Sequence, residues 1–87
     1  MKADHEKVSR QLKIARGQLD GLLKMVEDDA YCVDVSNQLL ATIALLKRVN
    51  SIVLFAHLEH CVKEASTTEE AEEKIKEIQQ LLLRMSD

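Results

Sequence analysis

From about Tyr31 or Val33 to Lys63 or Glu64 the chain carries neither glycine nor proline, and its apolar residues do not keep to one stripe. Leu39, Leu40, Ile43, Ala44, Leu45, Leu46, Val49, Ile52, Val53, Leu54, Phe55 and Leu58 cover much more of a helix than one face. Such a segment forms a helix of roughly 45 to 50 Å at 1.5 Å per residue. A helix that is apolar nearly all round has to be covered on several sides. The other elements of an 87-residue chain are too short to do so. A domain of this size buries only roughly 60 to 65% of its unfolded surface and commonly gains support from oligomerisation. A second protomer is the simplest source of the missing cover.

The flanking segments predict two shorter helices. From about Asp4 to Val26, the residues Val8, Leu12, Ala15, Leu19, Leu22 and Val26 recur at spacings of four and three, one apolar stripe on a helix. Gly17 and Gly21 lie four apart inside it and follow no strand, so they suit a close crossing of backbones better than a phosphate loop. Glu27, Asp28 and Asp29 end the pattern. Ser66, Thr67 and Thr68 interrupt the chain again, and Thr67-x-x-Glu70 has the spacing of a capping box. The helix that follows carries Ala71, Ile75, Ile78, Leu82 and Met85 on one stripe. The expected fold is all-α: residues 1–87 as a single domain of three helices, short, long and short, assembling through the middle one.

Composition narrows the function. Abundant Leu, Glu, Lys, Ala and Ile with no Pro or Trp suit helices and leave strands without support. Two cysteines are too few for a disulfide framework. No charged-then-apolar leader is visible, and no uncharged apolar run approaches bilayer length, so the expectation is a cytoplasmic chain with reduced thiols and no membrane. No Ser/His/Asp set or glycine-rich phosphate loop is visible, which leaves enzymatic activity without support. Net charge is −3, unevenly spread: residues 1–24 hold six bases against three acids, and residues 64–87 hold seven acids against three bases.

Cys32, His57 and Cys61 are the residues that carry chemistry. His57-x-x-x-Cys61 sets an imidazole and a thiol on one helical face. Two thiolates and one imidazole fall short of the four donors of a closed zinc site but suit the low coordination number and thiolate preference of Cu(I). Cys32 and His57 are 25 residues apart on one helix, some 35 Å or more, so one chain cannot close the site. An antiparallel pair of middle helices brings Cys32 of one protomer to His57 and Cys61 of the other, with two symmetric sites per dimer. The competing reading makes both cysteines small buried hydrophobes. His60 lies well off the His57–Cys61 line and reads as a surface residue. His5 reads as a solvated histidine, or as a nitrogen ligand if its segment folds back.

The set Gly17-Gln18-x-x-Gly21, Met25-Val26-Glu27-x-x-x-Tyr31-Cys32-x-Asp34-Val35, Gln38 and His57-x-x-x-Cys61 resembles the copper-sensitive operon repressor family, with its nickel, sulfide and formaldehyde relatives, over nearly the whole chain. The resemblance implies a three-helix protomer, an antiparallel homodimer and usually a homotetramer built as a dimer of dimers. It implies a trigonal Cu(I) site of Cys32 from one protomer with His57 and Cys61 from the other. It places Tyr31 and Glu77 beside the far nitrogen of His57, coupling metal occupancy to the third helix. Among the relatives the ligand set fits Cu(I) best, since the sulfide branch lacks the histidine and the nickel and cobalt branch replaces the second cysteine.

The resemblance also implies repression of transcription, with operator DNA held by the apo form and released by Cu(I). Lys7, Arg10, Lys13, Arg16, Lys47 and Arg48 are the candidate DNA contacts. The family's first helix usually reads Arg-Leu-x-Arg-x-x-Gly-Gln, and here the two arginine positions are Gln11 and Ile14. Phosphate neutralisation dominates nucleic-acid affinity, so two further readings stay open: a Cu(I) buffer or chaperone on the same scaffold without DNA binding, and a thiol redox sensor using Cys32 and Cys61.

Overall fold

The computed structural model describes residues 1–85. Three helices follow one another: α1 (His5–Glu27), α2 (Cys32–Glu64) and α3 (Thr68–Met85). They agree with the helices expected from the sequence, and no strand occurs among the described residues.

Each helix starts and stops for a local reason. Asp4 caps α1, its carboxylate accepting from the backbone N–H groups of Glu6 at 3.0 Å and Lys7 at 3.3 Å. At the other end the Ala30 N–H bonds to the Met25 carbonyl at 2.9 Å and the Asp29 N–H to the Val26 carbonyl at 3.1 Å. That pair of bonds is a Schellman motif, and it requires Asp29 to adopt φ 55, a left-handed conformation that glycine usually supplies. The Tyr31 carbonyl opens α2 by accepting from Asp34 and Val35. Thr67 Oγ1 caps α3 by accepting from the Glu70 N–H at 3.1 Å, while the Glu70 carboxylate reaches back to Ser66, to its N–H at 2.9 Å and its hydroxyl at 2.7 Å.

The contacts divide the chain into two compact units. In residues 4–50, Val8, Ala15 and Leu22 of α1 are buried, as are Thr42, Leu45 and Val49 of α2. The buried Thr42 hydroxyl lies 2.8 Å from Gln18 Oε1 and 3.1 Å from the Gln38 carbonyl, so the polar group within this core is satisfied. In the other unit, Met1–Ala3 joins the chain from Ser51 onward, and Ala3, Leu54 and Ile78 are its buried apolar residues.

Half of the α1 stripe remains at the surface. Leu12, Leu19 and Val26 are 45, 49 and 67% exposed. On α2, Leu39, Ile43 and Leu46 are exposed, about 100° round the helix from the buried Thr42, Leu45 and Val49. Among the described residues, 17 large hydrophobics are exposed and eight hydrophobics are buried. One copy therefore leaves much of its apolar surface in water.

A Cβ at Gly17 or Gly21 would meet nothing within 4 Å, so no backbone of the same chain crosses closely there. And α2 is long and apolar enough, by length and composition, to cross a membrane. The expectation counted only uncharged runs, whereas every 18-residue stretch of α2 includes the adjacent cations Lys47 and Arg48, each costly at a bilayer centre.

Candidate metal centre

His57 and Cys61 are one helical turn apart on α2, so their side chains share a face. Cys61 Sγ lies 3.4 Å from His57 Nε2 and 4.0 Å from Nδ1, and both residues are half-buried. An ion held about 2.3 Å from sulfur and about 2.0 Å from nitrogen, at an angle between tetrahedral and trigonal, sets those donors roughly 3.5 to 3.7 Å apart. The observed pair fits one soft ion with an adjustment of a few tenths of an ångström.

Cys32 is the first residue of α2 and is exposed, with a free thiol like that of Cys61. It lines a groove of ≈ 310 Å³ with Met25, Val26, Asp29 and Leu39. Among the described residues of the chain no three His, Cys, Asp or Glu side chains come together as a metal-holding group. Glu77 lines the same ≈ 380 Å³ groove as His57, together with Met1, Lys2, Val53, Leu54, Ile78 and Leu81. The Glu77 carboxylate is 3.8 Å from Lys74 Nζ. Tyr31 is 69% exposed at the start of α2.

The other two histidines are engaged elsewhere. His60 Nε2 is 2.9 Å from Glu64, and His60 lines a separate groove with Lys2, Ala56, Glu59 and Lys63. His5 opens α1 and lines a groove with Glu6, Ser9, Arg10 and Lys13.

Lys7, Arg10, Lys13 and Arg16 are exposed on α1, and Lys47 and Arg48 on α2. At about 100° per residue Arg10 and Lys13 share an arc of about 80° with Gly17, Gly21 and Lys24, well away from the buried Val8, Ala15 and Leu22. Ile14 sits beside that arc and is 47% exposed. Sequence reasoning missed Thr42, whose one signal is a hydroxyl inside an apolar run. It also missed the docking of Met1–Ala3, which carries no periodicity to detect.

The described residues form an all-helical chain with a thiol–imidazole pair near the end of its longest helix and a free thiol at that helix's start. A family model described as metal-sensitive transcriptional repressor matches residues 4–84, and the chain belongs to that family, whose members are transcriptional repressors and not enzymes. It is 53% identical over 55 residues to the copper-sensing transcriptional repressor CsoR of Mycobacterium ulcerans, an alignment covering 63% of this chain. The match spans about half of that relative's length, 47%. Two solved structures share the fold. The copper-sensing repressor CsoR with Cu(I) from Geobacillus thermodenitrificans superposes with a TM-score of 0.77 at 33% identity, over 94% of this chain and 85% of that one. The nickel-responsive transcriptional regulator InrS gives 0.78 at 25% identity, over 98% and 96%.

Proposed function

We propose that this chain is a cytoplasmic Cu(I)-responsive repressor, a homodimer or homotetramer that holds operator DNA in the apo form. The carrying observation is the 3.4 Å His57–Cys61 pair with no third donor grouped with it among the described residues, while the remaining thiol of the chain, Cys32, is exposed at the other end of the same helix. Cys32 of one protomer completes the site with His57 and Cys61 of the partner subunit when two α2 helices pair antiparallel. The exposed Leu39, Ile43 and Leu46 supply an apolar face for that pairing. Two thiolates and an imidazole offer a soft, low-coordinate set that suits Cu(I) over the harder divalent ions.

Regulation follows from where the ligands lie. Orienting His57 for the ion fixes its second ring nitrogen, and Glu77, in the same groove, accepts a hydrogen bond from it, with Tyr31 of the partner subunit arriving beside its Cys32. Such outer partners commonly orient a metal-bound histidine. Glu77 belongs to α3, so occupancy biases the position of α3 and with it the assembly, a coupling of typically about 1 to 3 kcal/mol. Lys7, Arg10, Lys13, Arg16, Lys47 and Arg48 provide the phosphate contacts that this shift misaligns.

A second reading, a Cu(I) buffer or chaperone without an operator, is favoured by one observation: Ile14, at a family arginine position, is exposed beside the basic arc. One experiment separates them. Reduced protein is titrated anaerobically with Cu(I) while the anisotropy of a labelled duplex from its own upstream region is followed at two salt concentrations. Tight DNA binding lost near one Cu(I) per protomer is the expected result. Stoichiometric copper binding with no DNA affinity at either salt establishes the buffer, and absence of copper binding overturns both.

A further inference from the structure

Met1–Ala3, ahead of the cap residue Asp4, belong by their contacts with the second part of α2 and with α3 and not with α1. Ala3 is the anchor, buried to 6% exposure. Docking of this arm brings Met1 and Lys2 onto the groove lined by His57 and Glu77. Met1 itself is 64% exposed, so its side chain is open to solvent at the groove.

Thioether sulfur is a soft donor of the kind that Cu(I) selects, and an unbranched methionine reaches irregular positions at little cost. His57 and Cys61 supply two donors at this end of α2, and Met1 lines the groove of one of them. We propose that Met1 is an auxiliary thioether ligand for Cu(I) at the His57–Cys61 end of the centre, delivered by the Met1–Ala3 arm. The proposal rests on the Cu(I) reading above. It adds a weak, exchangeable donor that raises affinity and gives incoming copper a first foothold from solvent.

The chain has three methionines, so a Met25→Leu/Met85→Leu background leaves Met1 as the sole site for labels. Met-to-Leu exchange in a core usually costs under about 1.5 kcal/mol. This protein is prepared with selenomethionine, loaded anaerobically with one Cu(I) per protomer and examined by X-ray absorption at the selenium edge. It is also prepared with norleucine, and Cu(I) affinity is measured against a chromophoric chelator. The expected results are a copper scatterer on selenium and an affinity about tenfold weaker with norleucine, the low end of what supporting groups contribute at metal sites. Stoichiometric copper with only carbon around selenium and unchanged affinity overturns the proposal and leaves the Cu(I) reading intact. No copper bound by the selenomethionine protein overturns both. If the double variant does not fold, Ala3→Glu in the unaltered chain undocks the arm. The same loss of affinity supports the proposal, and full affinity refutes it.

Discussion

Replacing both α1 glycines with alanine tests whether any backbone crosses closely at this face of α1. Gly17 and Gly21 are interior helical positions, and a Cβ at either meets nothing within 4 Å. The substitutions therefore remove the entropy penalty of glycine without a steric cost. Each gains about 0.8 to 1.0 kcal/mol from helix propensity, and the pair gains roughly 1.5 to 2 kcal/mol. For a domain of this size that raises Tm by on the order of 10 °C. The assay is urea unfolding of Gly17→Ala/Gly21→Ala followed by circular dichroism at several protomer concentrations, because assembly adds a concentration-dependent contribution to apparent stability. The midpoint should rise with an unchanged slope. A lowered midpoint, together with a weakened concentration dependence, refutes the reasoning, since it means that another copy packs its backbone against this face.

Other perturbations follow from single features. Gln11→Arg/Ile14→Arg adds two cations to α1, the second of them beside its basic arc, and the slope of log affinity for operator DNA against log salt should steepen by about 0.9 for each new phosphate contact; an unchanged slope removes these two positions from the DNA interface. Asp29→Gly relieves the φ of 55 and should stabilise the fold by about 1 kcal/mol in thermal unfolding, whereas a loss would show that its carboxylate makes a contact worth more than the strain. Glu70 is held below its ordinary carboxylate pKa of 4.5, first by the Ser66 hydroxyl and then by the Ser66 N–H. A carboxyl lowered in the folded state adds stability above its unfolded pKa and loses it as pH falls through the folded value. Protection of the amides at the start of α3, taken relative to the intrinsic exchange rate at each pH, should therefore fall on acidification below about pH 4.5, and Glu70→Gln should flatten that dependence.

The helix boundaries were legible because their signals are local. Apolar spacing, the acidic break at Glu27–Asp29 and the Thr67/Glu70 pair mark ends that the backbone satisfies with its own side chains. The capping pair has an addition, since the Glu70 carboxylate also takes the Ser66 N–H and hydroxyl. Asp29 hid the Schellman turn because its side chain is an unusual choice for a left-handed residue. The stripe through Val8, Leu12 and Leu19 showed which face of α1 is apolar, but not which of those residues is covered by the same chain, because periodicity is blind to whose surface lies opposite. Gly17 and Gly21 were read as a crossing point for that reason. At the site, the i, i+4 spacing of His57 and Cys61 gave the donor pair directly, while the docking of Met1–Ala3 against α2 and α3 depends on tertiary contacts that no local pattern encodes.

A site assembled from two protomers can be distinguished from one that a single chain completes by mixing defective chains. If Cys32 of one protomer serves with His57 and Cys61 of its partner, Cys32→Ser and Cys61→Ser each destroy both centres of their own homodimer. Random reassociation of equal amounts makes about half of the dimers mixed. A mixed dimer pairs the Cys32 of the Cys61→Ser chain with the intact His57 and Cys61 of the Cys32→Ser chain, which restores one of its two centres. The mixture should then bind Cu(I) tightly at about one quarter of the stoichiometry of the unaltered protein, although neither variant alone does so. An intrachain site predicts no recovery on mixing, because neither chain holds all three donors. Recovery near one quarter would also give α2 its physical purpose: a helix too long and too apolar for its own chain places the two halves of the donor set where only assembly can join them, so that copper occupancy and quaternary state become one equilibrium.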